Sequence, residues 1–276
     1  MSAMKGERIG LIAGNGRFPV VLAERARRLG VQVVAVAHEG ETAPELAALV
    51  PEITWIHAGE IGRLIDAFKA AGVARVVMAG GITKVRLFED FRPDDRGLAL
   101  LGRLGSIRDD VLLRGLATEL EGEGMAVVDS TLYLGDLVPT PGVLTRRTPT
   151  EQEWSDVRYG LRAAKEVGRF DIGQSVVIRR GSVVAVEAIE GTDATIRRAG
   201  ALVRGDLVVV KACKPAQDTR FDLPAVGMQT IRTMLEVGGR VLAIEAGRTL
   251  MLDRDEMLAA ADEGDVAVVA VEETAP

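Results

Sequence analysis

The chain has 276 residues, with 34 Lys and Arg against 40 Asp and Glu and a formal net charge of −6. At roughly 150 residues per domain this length suggests two domains, and the acidic balance argues against a dedicated duplex-DNA binder while leaving room for a local basic groove. Hydrophobic residues at 47% and charged residues at 27% exclude bulk disorder, and aromatics at 4% argue against a stacking platform for single-stranded nucleic acid.

A lone cysteine, Cys213, allows no intrachain disulfide and no thiolate-rich zinc site, and two histidines, His38 and His57, leave little for a His-based metal cage. No apolar run approaches the ~20 residues of a spanning helix. The apolar stretch near the N-terminus is too short for a signal peptide, so a cytoplasmic location is expected, with peripheral membrane contact compatible with it.

In chain order, residues 8–14 (RIGLIAG) read as a buried strand, 14–19 as a turn, and 20–29 as a helix closed by Gly30. Strands follow at 31–37, 53–57 and 73–79, with helices at 44–49 and 61–71 between them. Two helices at 96–104 and 108–121 lead to a fifth strand at 125–128. Short apolar strands alternating with helices predict a parallel sheet covered on both faces. Residues 138–150 (VPTPGVLTRRTPT) hold three prolines and four threonines and read as a linker, which separates a first domain, 1–137, from a second, 151–276. The second half starts with a helix at 151–167. A hairpin (175–178 and 183–188 around RRGS), strands at 206–212, 240–246 and 266–271, and helices at 229–237 and 254–263 follow, a spacing that departs from simple βαβ repetition.

Four segments carry chemistry. Gly14-Asn15-Gly16-Arg17-Phe18-Pro19 lies between the first strand and helix, where glycines let a ligand approach the backbone and helix N–H groups face a phosphate. Pro19 stands where a dinucleotide loop has its third glycine, which weakens an oxidoreductase reading, and Glu39 is the candidate acid after strand two. Gly80-Gly81-Ile82-Thr83-Lys84 follows the fourth strand on the same rim, with Lys84 a candidate phosphate contact, and Asp129-Ser130-Thr131 follows the fifth, as a polar contact or an Asx turn. Glu187-Ala188-Ile189-Glu190-Gly191-Thr192-Asp193 gathers oxygens of the kind hard cations take, although Thr192 or Asp193 could equally cap a helix starting at Ala194. The irregular stretch 211–227 holds Lys211, Lys214, Arg220, Asp218 and Asp222, a mixture suited to a phosphate ester and its metal or to a solvated surface. Cys213 is a weak candidate nucleophile, with no histidine near it in sequence.

Taken in order, IAGNGRFP, MAGGITK, VEAIEGTD and KPAQDTRFDLPAVG resemble the UDP-2,3-diacylglucosamine pyrophosphatases of the LpxI type, from about Ile9 to Val271. The resemblance implies an α/β protein with a Rossmann-like parallel-sheet N-domain and a distinct α/β C-domain. It implies Mg²⁺-dependent hydrolysis of UDP-2,3-diacylglucosamine to UMP and 2,3-diacylglucosamine 1-phosphate (lipid X) in lipid A biosynthesis, at the inner face of the inner membrane. A homodimer is left open; Mn²⁺ is an expected substitute metal.

On that reading Asp193, Asp218 and Asp222 are the candidate catalytic acids. Asp193, Asp222 and Glu190 are the candidate metal ligands, and Lys211, Lys214 and Arg220 the phosphate clamps. Gly14, Asn15, Gly80, Gly81 and Lys84 hold the nucleotide side, with Thr192 a further substrate contact. Ala225 departs from the family pattern, which has an acid or hydroxyl there. That departure leads to the expectation of a chain from which a catalytic side chain has been removed, the other reading being chemistry carried elsewhere. A non-catalytic nucleotide-sugar binder is the alternative from another class.

Overall fold

The computed structural model describes residues 6–83, 91–105, 109–215, 217, 218, 220 and 223–272. Lys84 and Asp222, both expected at the site, lie outside the described residues. The chain divides into two compact units, Met1–Gly135 with Asp218–Asp222, and Asp136–Gln217 with Leu223–Pro276.

The first unit is built on β1 (Arg8–Ala13), β2 (Gln32–His38), β3 (Glu52–Ile56), β4 (Arg75–Ala79) and β5 (Ala126–Val127), all parallel, in the order β3-β2-β1-β4-β5. Helices α1 (Phe18–Arg28), α2 (Leu46–Leu49), α3 (Ile61–Ala70), α4 (Asp95–Leu104) and α5 (Asp109–Gly122) connect or follow the strands. Phe68, Leu64 and Ile65 of α3 pack with Ile12, Val34, Val36, Val76 and Met78 of the sheet and with Leu120 of α5. The central parts of β1, β2 and β4 are apolar because helices cover the sheet. The chain runs outward from β1 through β2 and β3, then returns to the other side of β1 as β4. The order therefore reverses between β1 and β4, and the loops after both strands meet at that switch.

The second unit holds β6 (Gly142–Val143), β7 (Ser175–Arg179), β8 (Ser182–Val186), β9 (Leu207–Lys211), β11 (Gly239–Glu245) and β13 (Ala267–Val271) in the order β6-β13-β11-β9-β7-β8, with β10 (Ala225–Val226) and β12 (Leu250–Met251) as a separate parallel pair. The β13–β11–β9 block is parallel, while β6, β7 and β8 pair antiparallel. Alternation along β9 separates two cores. Val208 and Val210 pack with Val157, Leu161 and Ala164 of α6 (Glu151–Arg169), whereas Leu207 and Val209 pack with residues of α7 (Thr192–Leu202), α8 (Met228–Val237) and α9 (Arg254–Glu263).

Helix α6 starts at a capping box, Thr150 with Glu153, and Arg147 grips the Glu153 carboxylate at 2.7 and 2.8 Å. Buried Asp156 accepts the N–H groups of Arg180 (2.8 Å) and Gly181 (2.7 Å) and so ties α6 to the β7–β8 turn. The segment read as a linker carries β6, which adds to β13 as an edge strand. Short Pro-flanked edge pairing leaves no periodicity to find in sequence.

Candidate functional site

In the first unit the switch loops interlock. A Cβ at Gly14 would collide with the carbonyl of Gly81, and one at Gly80 with that of Asn15, so both glycines are required by loop packing. The Gly14 N–H donates to Ala79 O (2.8 Å) and the Asn15 N–H to Gly81 O (2.7 Å). These two backbone amides are engaged within the protein. Glu41 ties the loops together, accepting from Asn15 Nδ2 at 3.0 Å and from the Thr83 hydroxyl. The acid at the switch is therefore Glu41, while Glu39 is exposed on the approach to it. Sequence reasoning missed Glu41 because its role depends on loops 26 and 42 residues away.

Behind Glu41, Ala13 O accepts from Thr42 Oγ1 (2.6 Å) and from His38 Nδ1 (2.9 Å). Burial pulls the His38 imidazole below its usual range, outweighing the Ala13 bond and the Glu41 charge that act the other way. His38 is thus a neutral structural donor at pH 7.

Asp129 forms an Asx turn, accepting from the N–H (2.7 Å) and hydroxyl (2.6 Å) of Thr131. Asp218 and Arg220 belong to this first unit rather than to the second half of the fold. Arg220 donates to Asp218 at 3.0 and 2.9 Å, and the Arg220 hydrogen bonds hold the Asp218 carboxyl below the usual range. Arg220 O also accepts the Ser130 N–H at 2.9 Å.

The second unit gathers a different set. Lys211, at the end of β9, is 7% exposed; its Nζ donates to Thr192 Oγ1 at 3.0 Å and to Ala225 O at 2.8 Å. The Thr192 hydroxyl in turn donates to Glu187 Oε1 at 3.1 Å, with Ser175 Oγ 3.3 Å away. Glu187 is also 7% exposed, and its Oε2 is buried without a hydrogen-bond partner. Half-buried Asp193 follows Thr192. Burial raises its carboxyl pKa and the charges of Glu187 and Glu236 add to the rise, against the opposing pull of Lys211 and Arg197.

Helix α7 is capped by Gly191, at φ 82°, so Thr192 and Asp193 are first-turn residues and neither is the cap. The sequence names Asp193, Thr192 and Lys211 for this cluster and includes Glu187 in the oxygen-rich segment without choosing it as a ligand, because what distinguishes it is burial, a tertiary property.

Other expected members are held elsewhere. Glu190 accepts from Arg198 (2.6 Å) and Thr195 (3.2 Å); its own backbone N–H and the Arg198 bond hold its carboxyl low. Its Oε1 serves the start of α7. Lys214, expected as a phosphate clamp, donates to Asp171 at 2.6 Å in a largely buried pair. Cys213 is fully buried and its Sγ meets Gln217 Oε1 at 3.2 Å, which removes it as a nucleophile. Among the described residues no three His, Cys, Asp or Glu side chains form a metal-holding group. Mg²⁺ needs only one or two carboxylates when substrate phosphates and water complete its shell. The unpartnered Glu187 oxygen beside Asp193 fits that requirement.

The LpxI N-terminal domain family matches residues 8–137 and the LpxI C-terminal domain family residues 140–269. A curated protein of Caulobacter vibrioides, UDP-2,3-diacylglucosamine pyrophosphatase LpxI, is 36% identical over 96% of this chain and 98% of its own length. Among solved structures, the biotin carboxylase domain of Hydrogenobacter thermophilus 2-oxoglutarate carboxylase, with MgADP, ADP and bicarbonate, is 18% identical with a TM-score of 0.27, over 73% of this chain and 43% of that one. Rhizobium etli pyruvate carboxylase is 13% identical with a TM-score of 0.29, over 52% and 14%. The chain thus spans less than half the length of those structures, and likeness at such scores carries no argument. Both halves match in order and the curated relative matches end to end: the chain belongs to the LpxI family.

Proposed function

We propose that this chain is an enzyme that hydrolyses the pyrophosphate of UDP-2,3-diacylglucosamine to UMP and 2,3-diacylglucosamine 1-phosphate, with Mg²⁺ or Mn²⁺, at the cytoplasmic face of a membrane. Family membership and the curated relative support the substrate class. The observation that carries the chemistry is the buried, unpartnered Glu187 Oε2 beside a buried lysine. A carboxylate oxygen in that state is destabilising by itself, on the order of 1–3 kcal/mol or more, and persists where a ligand completes it.

Glu187 and Asp193 would hold the cation, which supplies charge neutralisation on the phosphates. Lys211 is held by Thr192 Oγ1 and Ala225 O, which sets the position of its ammonium without further rotamer loss. It serves as the preorganised positive charge for a phosphoryl oxygen as negative charge develops. Thr192 relays the orientation of Lys211 to Glu187.

Position 225 contributes its carbonyl, which any side chain would supply. On this reading the chain is active as it stands, and the polar residue of the family pattern is an auxiliary. The other reading, an inactivated chain, predicts capture of intact substrate.

Exposed Phe170 and Ile172 precede Gly173, whose Cβ position is blocked by Glu187 O, and exposed Ile189 follows on the Glu187 loop. These apolar side chains flank the cluster and suit contact with acyl chains or a lipid surface. No helix among the described residues is long and apolar enough to cross a membrane.

The test is UMP release from purified substrate in vesicles. Release with Mg²⁺, and its loss in EDTA, is expected. Unchanged release in chelator removes the metal, and no release under any divalent cation removes the hydrolase reading.

A further inference from the structure

We propose that the buried Lys165–Glu245 pair is a positioning device for Lys211: from the opposite face of the sheet it fixes the exit of β9, the strand that ends in Lys211. This rests on the phosphate-facing role proposed for Lys211 and adds what keeps that lysine in place.

Alternation along the strands places the pair. Val208, Val210 and Ala212, with Val241 and Ala243 of β11, face Leu161 and Ala164 of α6. Glu245 continues the Val241–Ala243 series, so its carboxylate stands on that face, where Lys165 of α6 meets it. Lys165 Nζ donates to both carboxylate oxygens at 2.9 Å, Arg248 Nη1 lies 3.5 Å from Oε1, and Lys165 and Glu245 are both buried. Lys211, between Val210 and Ala212, takes the other face and reaches Thr192 Oγ1 and Ala225 O there. In a core, apolar residues of similar size often match or exceed the stability an ion pair gives. What they could not do is accept a hydrogen bond, and Glu245 Oε2 accepts the Cys213 N–H at 2.8 Å.

That bond falls where the sheet stops. The register of β9 ends at Lys211 on both sides, opposite Ile244 of β11 and Ser175 of β7. Beyond Lys211 other acceptors take over from the ladder. The Ala212 N–H donates to Gln174 O at 2.9 Å and the Cys213 N–H to Glu245, and Gln217 Oε1 then accepts the Lys214 N–H at 2.8 Å. Lys211 is thus followed at once by two residues tied on opposite sides of the strand, which stops its end from fraying. Lys165, by gripping both oxygens, fixes the rotamer that presents Oε2 to Cys213. The pair acts on the Lys211 ammonium through the backbone of β9. A displacement of about 1 Å at a reacting geometry can cost about 10² in rate, so a fixed strand end matters to a charge that must meet a phosphoryl oxygen.

The experiment compares two double variants of the full chain. Lys165→Met with Glu245→Leu removes both charges and the acceptor. Lys165→Met with Glu245→Gln removes both charges and leaves an amide oxygen for the Cys213 N–H. The first should lower kcat for UMP release by at least about tenfold with KM within about threefold, and the second should restore kcat to within about threefold of the parent. In NMR spectra of the same proteins the Cε signal of Lys211, assigned with Lys211→Met, should move in the first and stay in place in the second. The Cys213 amide should exchange with solvent faster in the first alone. Equal rates in the two doubles, a rate loss that only tracks unfolding temperature, or a Lys211 signal unmoved in the first would overturn the inference. If the leucine double unfolds, Glu245→Asp carries the test. It keeps both charges, draws the acceptor back by one methylene, and should lower kcat severalfold with faster Cys213 exchange; parental rate and exchange would overturn the inference. UMP release by the parent separates the two readings. A moved Lys211 signal in a chain whose parent releases no UMP retains the positioning and sinks the hydrolase, and release with an unmoved signal does the reverse.

Discussion

The two candidate clusters differ in how their polar groups are paired. At the switch of the first unit several donors have acceptors: Asn15 and Thr83 with Glu41, Gly14 with Ala79, His38 and Thr42 with Ala13. In the second unit a buried lysine, a hydroxyl and two carboxylates stand together with one oxygen, Glu187 Oε2, unpaired. A satisfied network is rigid and selects ligands by its fixed polarity. An unsatisfied one holds free energy that a cation or a transition state can recover.

Four changes would break or sharpen that contrast. The largest effect is expected from Lys211→Met. It removes the charge aimed from β9 and should lower kcat by about 10²–10³, with a smaller change in KM, as loss of a preorganised donor does. Steady-state UMP release measures it. A drop confined to KM would move Lys211 from chemistry to binding.

Next come the carboxylates. Glu187→Gln should lower kcat by about 10² while leaving the unfolding free energy within about 1 kcal/mol of the parent, because Oε2 makes no hydrogen bond that the change would lose. Denaturant melts beside the rate assay check it, and parallel loss of stability and rate would make Glu187 structural. Asp193 adds a pH signature. Its carboxyl is raised above 3.8, chiefly by burial. The protonated form is therefore favoured in the fold. The stability this contributes is present below the unfolded value and lost as pH rises through the folded one. At neutral pH the ionised group is a burden that a cation relieves. Asp193→Asn should then stabilise the chain more at pH 7 than near pH 4, and should abolish the rise in unfolding temperature that Mg²⁺ gives the parent. An Mg²⁺ response of the same size in Asp193→Asn would remove Asp193 from the cation site.

The smallest effect is expected at 225. With the Lys211 bond made by a backbone carbonyl, Ala225→Asp should change UMP release by less than about tenfold. A gain of several orders of magnitude would show that the chain lacks a catalytic acid.

Composition, strand spacing and breaker residues determined the α/β class, the parallel sheet of the first half and the mixed pattern of the second. Those features are local: strands such as β1 and β4 are apolar after their first residue because both faces are covered, and Gly30 and Gly72 end helices within their own turns. The sequence also marked Asn15, Thr192, Asp193 and Lys211, since each stands beside a glycine or at a strand or helix end. Tertiary structure alone decided how each acid is paired. Glu190 and Glu187 are three residues apart and alike on paper, yet Arg198 occupies the first while burial leaves the second with an unpaired oxygen. Glu41 and Glu39 differ only in which one reaches Asn15. Asp218 and Arg220 lie in the second half of the chain and fold with the first. Periodicity reports which face a side chain takes; pairing and desolvation depend on neighbours far away in sequence, and those decide where an acid is free to act.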